Sequence, residues 1–173
     1  MERQEEKTLN LATLVFPVRD DNVMLAEKMR KIGKGCLNGW GGGVDHGESI
    51  RACAVREFSE ETGGAIIDEQ DLKKLGIVHF KNHLANGSEF ICTVHVYSVA
   101  KWDGQIISTE EMKDPRWFPI TTVASQKLMS ADPFWLPRML SGEKGIAFAE
   151  YEPYQKALIG SVRFESVDSF DEE

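Results

Sequence analysis

Residues 41–64 read GGGVDHGESIRACAVREFSEETGG, and this stretch restricts the chain more than any other. Positions 49–62 lack glycine and proline and carry a helical period, and Gly63-Gly64 supply the usual stop. Ile50, Ala54 and Phe58 recur at i, i+4 and i+8, so they form one apolar stripe along that helix. Glu57, Glu60 and Glu61 stand at i, i+3 and i+4 and share the adjoining face. Such a stripe is buried only against a second layer. The glutamates are then placed at the edge of packed structure rather than far out in water.

That placement is locally unfavourable. Glu57 and Glu61 are like charges one turn apart, and Glu60 and Glu61 fall in the last turn, where the helix dipole disfavours anions. Within the helix only Arg56, four residues before Glu60, offsets the clash. Each effect is about 0.3–1 kcal/mol, and all share one sign. A bound cation resolves the conflict. Oxygen-only ligands point to Mg²⁺, with Mn²⁺ as a substitute, rather than to zinc. A solvated acidic face is the other reading of the same three residues.

Around this helix the chain reads mostly as strands. Residues 11–18 and 22–27 are apolar and β-rich, with Arg19-Asp20-Asp21 as the turn between them. Residues 29–40 read as a loop. Residues 75–80 and 90–100 read as strands joined through the turn signal Asn86-Gly87. A short strand is expected at 117–119 and a helical turn within 120–129. A helix is expected at 132–140, opened by Asp132 with Pro133 at its first position. Strands at 146–151 and 158–164 complete the set. The expected class is α/β, a central mixed sheet with helices layered on it. A length of 173 residues suits one domain. Residues 1–8 are expected to be a flexible polar N-terminus, 9–165 the domain, and 166–173 an acidic tail.

A net charge of -8 and a pI of about 5.1 argue against long nucleic acid as a partner, because that needs a basic face. A small phosphorylated molecule stays open if cations offset its charge. Cys36, Cys53 and Cys92 are odd in number and show no Cys-x-x-Cys spacing, so a reducing, cytoplasmic setting is expected. The polar N-terminus has no signal-peptide core, and a membrane partner is not expected. His79 and His83 lie where a strand runs into a loop, which speaks against a metal site there. Trp102, Trp117 and Trp135 read as packing residues, and Cys53 as a buried small hydrophobe. Trp40 either walls a pocket or fills the core.

Gly42, Glu48, Arg56, Glu57, Glu60, Glu61 and Gly63 occupy the seven fixed positions of the Nudix box. At roughly 6% per residue type, a chance match is on the order of one in a million. The chain therefore resembles the Nudix hydrolases, over roughly residues 9–164. Three further pieces make it similar to the MutT-homologue branch, the oxidised-purine nucleoside triphosphatases that act on 8-oxo-dGTP. They are Leu37-Asn38-Gly39-Trp40-Gly41-Gly42-Gly43, Thr109-Glu110-Glu111-Met112 with Arg116-Trp117-Phe118, and Ala131-Asp132-Pro133-Phe134-Trp135-Leu136-Pro137. One box position departs: Gly64 stands where an apolar residue is usual, followed by Ala65-Ile66-Ile67.

The resemblance implies an α/β/α sandwich and Mg²⁺-dependent hydrolysis of a purine nucleoside triphosphate to a monophosphate and pyrophosphate. Glu57, Glu60, Glu61 and the Gly41 carbonyl would hold the metal. Arg56 would orient a carboxylate, and Glu48 would brace the loop against the helix. Glu111 would be a further ligand or part of base catalysis. Gly41, Gly42 and Gly43 would let backbone approach metal and phosphates closely. Of the cations Lys28, Arg30, Lys31 and Lys34, Lys28 aligns with a substrate-side lysine. Asn38 and Asp132 would read the base, with Thr13 beside them. Met129 stands where an aromatic would stack, and Ala131 where a first aspartate is expected. Asp132 also reads as the N-cap of the following helix, and the two roles are compatible. The alternatives are another diphosphate substrate (ADP-ribose, a dinucleotide polyphosphate, a capped RNA end) or a silent nucleotide-binding module.

Overall fold

A computed structural model describes residues 9–171 of the chain. The expected flexible segment 1–8 lies outside the described residues, as do the last two residues of the acidic tail. The elements in chain order are β1 (Leu11–Arg19), β2 (Asn22–Lys28), β3 (Leu37–Asn38), α1 (Ile50–Thr62), β4 (Leu72–His83), β5 (Glu89–Val99), β6 (Met112–Pro119), α2 (Leu136–Leu140), β7 (Gly145–Tyr151) and β8 (Leu158–Ser166). The sheet has eight strands in the order β3-β2-β1-β5-β4-β7-β8, with β6 on β2. β1 runs parallel to β5, and β4 parallel to β7; the other pairs are antiparallel.

Both faces of the sheet are covered, which is why β1 reads as a nearly continuous apolar run. On one face α1 buries Ala54 and Phe58 against Val15, Trp40 and Tyr97. On the other, α2 and the turns before it bury Trp135, Leu136 and Met139 against Phe16, Leu25 and Val96. The result is the α/β/α sandwich with a mixed sheet. Among the described residues, no helix is long and apolar enough to cross a membrane.

The β1–β2 hairpin splays, and the splay positions the site. Val18 and Arg19 pair with Val23 and Asn22, and then the two strands diverge. Residues 37–42 fill the wedge. Leu37 and Asn38 pair with β2 as β3, while Trp40 and Gly42 hydrogen-bond to Val15 and Thr13 of β1. The expected loop at 29–40 therefore ends in a strand. Two paired residues are too few for a periodicity to show.

Helix α1 follows its local code. The Ser49 hydroxyl accepts from Ala52 N–H at 3.1 Å, and Gly63 closes the helix with φ of 81°. Gly64 N–H returns to the Ser59 carbonyl at 2.9 Å. Ala65 and Ile67 fill the core beside the helix end, so the apolar position that Gly64 vacates is met one residue later.

The expected helix at 132–140 is broken. Asp132–Phe134 is a 3-10 turn without a side-chain cap, Trp135 departs from helical geometry with φ -128°, and α2 begins at Leu136. Pro137 lacks the N–H that would close a turn onto Pro133, and it disfavours helical backbone at Leu136. Asp132 is thus not the N-cap of that helix.

Candidate metal and nucleotide site

The wedge decides which residues of the glycine loop tolerate a side chain. A Cβ on Gly41 would lie 1.8 Å from the Thr13 carbonyl oxygen, so β1 itself demands glycine there. A Cβ on Gly42 would lie 2.4 Å from the Glu57 carboxyl carbon. The close approaches that these two glycines permit are therefore to β1 and to a carboxylate. Gly42→Ala displaces only a movable side-chain end, so the unfolding free energy should change by about 1 kcal/mol or less. Divalent-cation affinity, measured calorimetrically, should nonetheless fall about tenfold because Glu57 is pushed out of place. Unchanged affinity would show that Glu57 does not belong to the cation site.

Arg56 is the hub of the helix face. Its Nε and Nη2 donate to the two oxygens of Glu48 at 2.7 and 2.9 Å, a bidentate fork. Nη1 donates to Glu57 at 2.8 Å and to Glu60 at 3.3 Å, and Nη2 also reaches the Gly43 carbonyl at 3.1 Å. Glu48 in turn accepts from Asp45 N–H, so it ties the loop to the helix. The Arg56 hydrogen bonds pull the Glu48 carboxyl down to about 2. Cys53 is fully buried beneath this loop. Its thiol lies 3.4 Å from the Gly43 carbonyl, and burial pushes it up to about 11, so it stays protonated and unreactive.

Glu61 is different. It is raised to about 7, first by burial, then by the charges of Glu57 and Glu111. Gly41 N–H donates to it at 3.4 Å and Lys28 opposes the shift. Glu111 arrives from a distant loop that is pinned to the helix end. Thr109 Oγ1 donates to the Glu61 carbonyl at 2.9 Å, and Ile107 N–H donates to the Thr62 carbonyl. Arg30 holds Glu110 at 2.7 Å and Glu111 at 3.3 Å. Glu60 points outward, its side chain 59% exposed. Among the described residues, no three acidic, histidine or cysteine side chains are assembled as a ready cation cage. The donor chemistry nevertheless fits a hard divalent ion. Glu61 is buried beside two further carboxylates, Glu57 and Glu111, a repulsion that such an ion would relieve.

The residues expected to read a base lie partly on the opposite face of the sheet. Asp132 is 4% exposed and accepts from Trp135 Nε1 at 3.1 Å. Burial pushes its carboxyl up to about 7, against the pull of that hydrogen bond and of Lys28. Lys28, at the end of β2, is itself lowered by burial while Glu61 and Asp132 both raise it. It thus stands within electrostatic reach of both. A Cβ on Gly33 would meet the Met129 sulfur at 2.8 Å and the Lys28 side chain at 3.5 Å, so Met129 borders the same space. Asn38 is buried in β3 and accepts from Gly39 N–H. Thr13 is not brought to this group. Its hydroxyl lies 3.5 Å from the Cys53 thiol, on the α1 face, because odd positions of β1 point that way. Ala131 is fully buried, and its N–H donates to the Tyr151 hydroxyl.

The sequence model of the NUDIX domain matches residues 8–139. The chain belongs to the Nudix family. It is 33% identical over 163 residues to an oxidized purine nucleoside triphosphate hydrolase of Mus musculus, covering 94% of this chain and 99% of that relative. A protein of the same name from Danio rerio is 31% identical over 145 residues, 84% of this chain and 88% of its own. Among solved structures, a MutT protein from Bacillus halodurans superposes with a TM-score of 0.73 at 23% identity, over 91% of this chain and 98% of its own. That last likeness bears on the fold alone.

In this Nudix chain Arg56 brings Glu48, Glu57 and Glu60 of the box together. Three contributors were not legible beforehand. Arg30, left open in the sequence between a phosphate-side cation and a solvated one, grips Glu110 and Glu111, which lie 80 and 81 residues away. Trp135 read as packing, yet its indole N–H orients Asp132. Thr109 carried no signal of its tie to the helix end. Trp40 fills the α1-side core, edge-on to Phe58 at 6.1 Å. His79 and His83 engage Thr93 and Glu150.

Proposed function

We propose that this Nudix enzyme hydrolyses a modified purine nucleoside triphosphate, such as 8-oxo-dGTP, to the monophosphate and pyrophosphate. The observation that carries the reading is Lys28, which lies within electrostatic reach of both Glu61 and Asp132. The charge of one cation is thus felt both at the acidic end of α1 and at a buried carboxylate across the sheet, as suits a ligand with a polyphosphate at one end and a base at the other. The Mus musculus and Danio rerio relatives, named for that activity, support it.

Glu57, Glu60, Glu61 and the Gly41 carbonyl would hold Mg²⁺, or Mn²⁺ in its place. When bound, the ion supplies charge neutralisation for the polyphosphate and a more acidic water. Arg56 fixes Glu57 and Glu60 in register with Glu48. Lys28 faces the phosphates, and Gly42 and Gly43 shape the loop beside them. Glu57, Glu61 and Glu111 are the carboxylates able to take the proton of the attacking water. Asp132 accepts from guanine-type N–H donors, Asn38 borders the base edge, and Met129 packs on the ring. Thr13 acts from behind, through its N–H on the Gly42 carbonyl at 2.9 Å. The three free thiols suit a reducing cytoplasm.

A panel read by phosphate release, with and without Mg²⁺, tests this: inorganic pyrophosphatase converts the pyrophosphate from nucleoside triphosphates, and alkaline phosphatase converts the phosphomonoester and diphosphate ends released from ADP-ribose, dinucleotide polyphosphates and capped RNA. Oxidised dGTP should be turned over fastest, and only with the ion. Faster release from ADP-ribose, a dinucleotide polyphosphate or capped RNA would move the protein to another Nudix activity. No release from any of them would leave a silent binding module.

A further inference from the structure

At the opposite end of α1 from the glutamates lies a cavity of about 560 Å³, walled by Arg51, Lys73, Lys74 and Lys144 and by the chain end at Ser169, Phe170 and Asp171. Its cations converge from the first turn of α1, the start of β4 and the residue before β7. Four basic residues meet here in a chain whose net charge is -8.

Two of them are fixed in place. Arg51 Nη1 donates to the carbonyls of Glu69 and Leu72, both at 3.0 Å, and its guanidinium lies 5.2 Å from the centre of the Tyr97 ring. The Lys74 ammonium shares that ring at 5.8 Å, stands 2.7 Å from His95 Nδ1, and lies 5.4 Å from the centre of the Phe170 ring. Burial, and then the Arg51 charge, bring Lys74 down to about 8. This is the mirror image of Glu61: like charges held together, here cations. The chain end seated on the cavity is acidic. Asp171 lines the wall, Asp168 precedes it, and Glu172 and Glu173 follow in sequence outside the described residues.

We propose that this cavity binds a polyphosphate chain, inorganic or carried by a nucleotide, and that the acidic segment 168–171 seated on it is its built-in competitor. A cavity of this size is large enough for a small ligand. Four cations around one space match the several charges of a polyphosphate chain. Phe170 against the Lys74 ammonium holds Asp171 on the cavity wall, so that carboxylate and a polyphosphate compete for the same cations. The glutamates of α1 do not line this cavity, so the inference stands or falls apart from the hydrolase reading.

The experiment is calorimetric titration of the protein with inorganic tripolyphosphate in EDTA, which silences a metal-dependent site. Nucleoside triphosphate is titrated in a parallel arm to tell which carrier binds tighter. The tail-neutralised chain D168N/D171N should bind one equivalent about tenfold tighter than the wild type. Adding K73E/K144E should weaken that binding by about tenfold or more, and so should raised salt. Lys73 and Lys144 are exposed, so an unchanged unfolding midpoint is expected of that variant and serves as the folding control. Amide shifts in the NMR spectrum should cluster at Lys73, Lys144 and Phe170. Lack of saturable binding by the tail-neutralised chain would overturn the proposal. So would affinity unmoved by K73E/K144E, equal affinity with and without the acidic tail, or shifts confined to the glycine loop.

Discussion

Glu61→Gln should lower kcat by about 10³-fold and, with divalent cations removed, should make the protein more stable rather than less. The first effect follows from the loss of a carboxylate from the proposed cation site. Charge stabilisation of several kcal/mol corresponds to about 10²–10⁴ in rate. The second follows from what the carboxylate does when the ion is absent. Burial and the charges of Glu57 and Glu111 lift Glu61 from 4.5 to about 7, so at pH 8 the folded protein carries an anion its surroundings disfavour. Glutamine keeps an oxygen for the Gly41 N–H and removes the charge. Relief of about 1 kcal/mol would raise the melting temperature by roughly 2–4 °C for a chain of this length. Added Mg²⁺ should stabilise the wild type and leave the variant unmoved. A variant with near-normal kcat, or one that melts lower than wild type in EDTA at pH 8, would contradict the role given to Glu61.

Asp132→Asn should reduce kcat/KM for oxidised dGTP by about 10- to 100-fold, since a hydrogen bond to a charged group contributes about 1.5–3 kcal/mol. Oxidised dATP should suffer less, because its base edge does not offer the same pair of donors. Equal turnover of both substrates in both proteins would sink the assignment. The same substitution changes the pH dependence of stability. The Asp132 carboxyl goes from 3.8 to about 7 in the fold, through burial. Between those values the folded chain keeps a proton that the unfolded chain has released. Its contribution is therefore complete below pH 3.8 and is lost as the pH rises through about 7. Asparagine has no proton to lose. Chemical denaturation should show that Asp132→Asn favours the fold at pH 8 relative to pH 5, by about 1 kcal/mol or more. A difference between the two proteins that stays flat with pH would mean that Asp132 is ionised throughout.

Much of the molecule was written locally. The Ser49 cap, the Ile50, Ala54 and Phe58 stripe and the Gly63-Gly64 stop lie within a few residues of the bonds they make, and α1 formed with those limits. The box spacing carried the family, because Arg56 reaches Glu48, Glu57 and Glu60 across one or two helical turns and one short loop. The strands were placed by their apolar runs, though 75–80 and 117–119 proved to be the middles and ends of longer strands. Strand ends carry charge and take their partners from elsewhere in the sheet.

What the sequence alone determined was the acidic helix, its caps, the mixed-sheet class and the kind of ion its glutamates suit. The tertiary structure alone decided which carboxylates are buried and which side chains face them. The wedge between β1 and β2 sets Gly41 against Thr13, and Arg30 crosses 81 residues of chain to Glu111. Thr13 turned toward Cys53, and Asp132 left its cap for the Trp135 indole. The reason is physical. Caps and helical periods act over about four residues, whereas desolvation and Coulomb interactions depend on distance in space, which exists only once the sheet has closed.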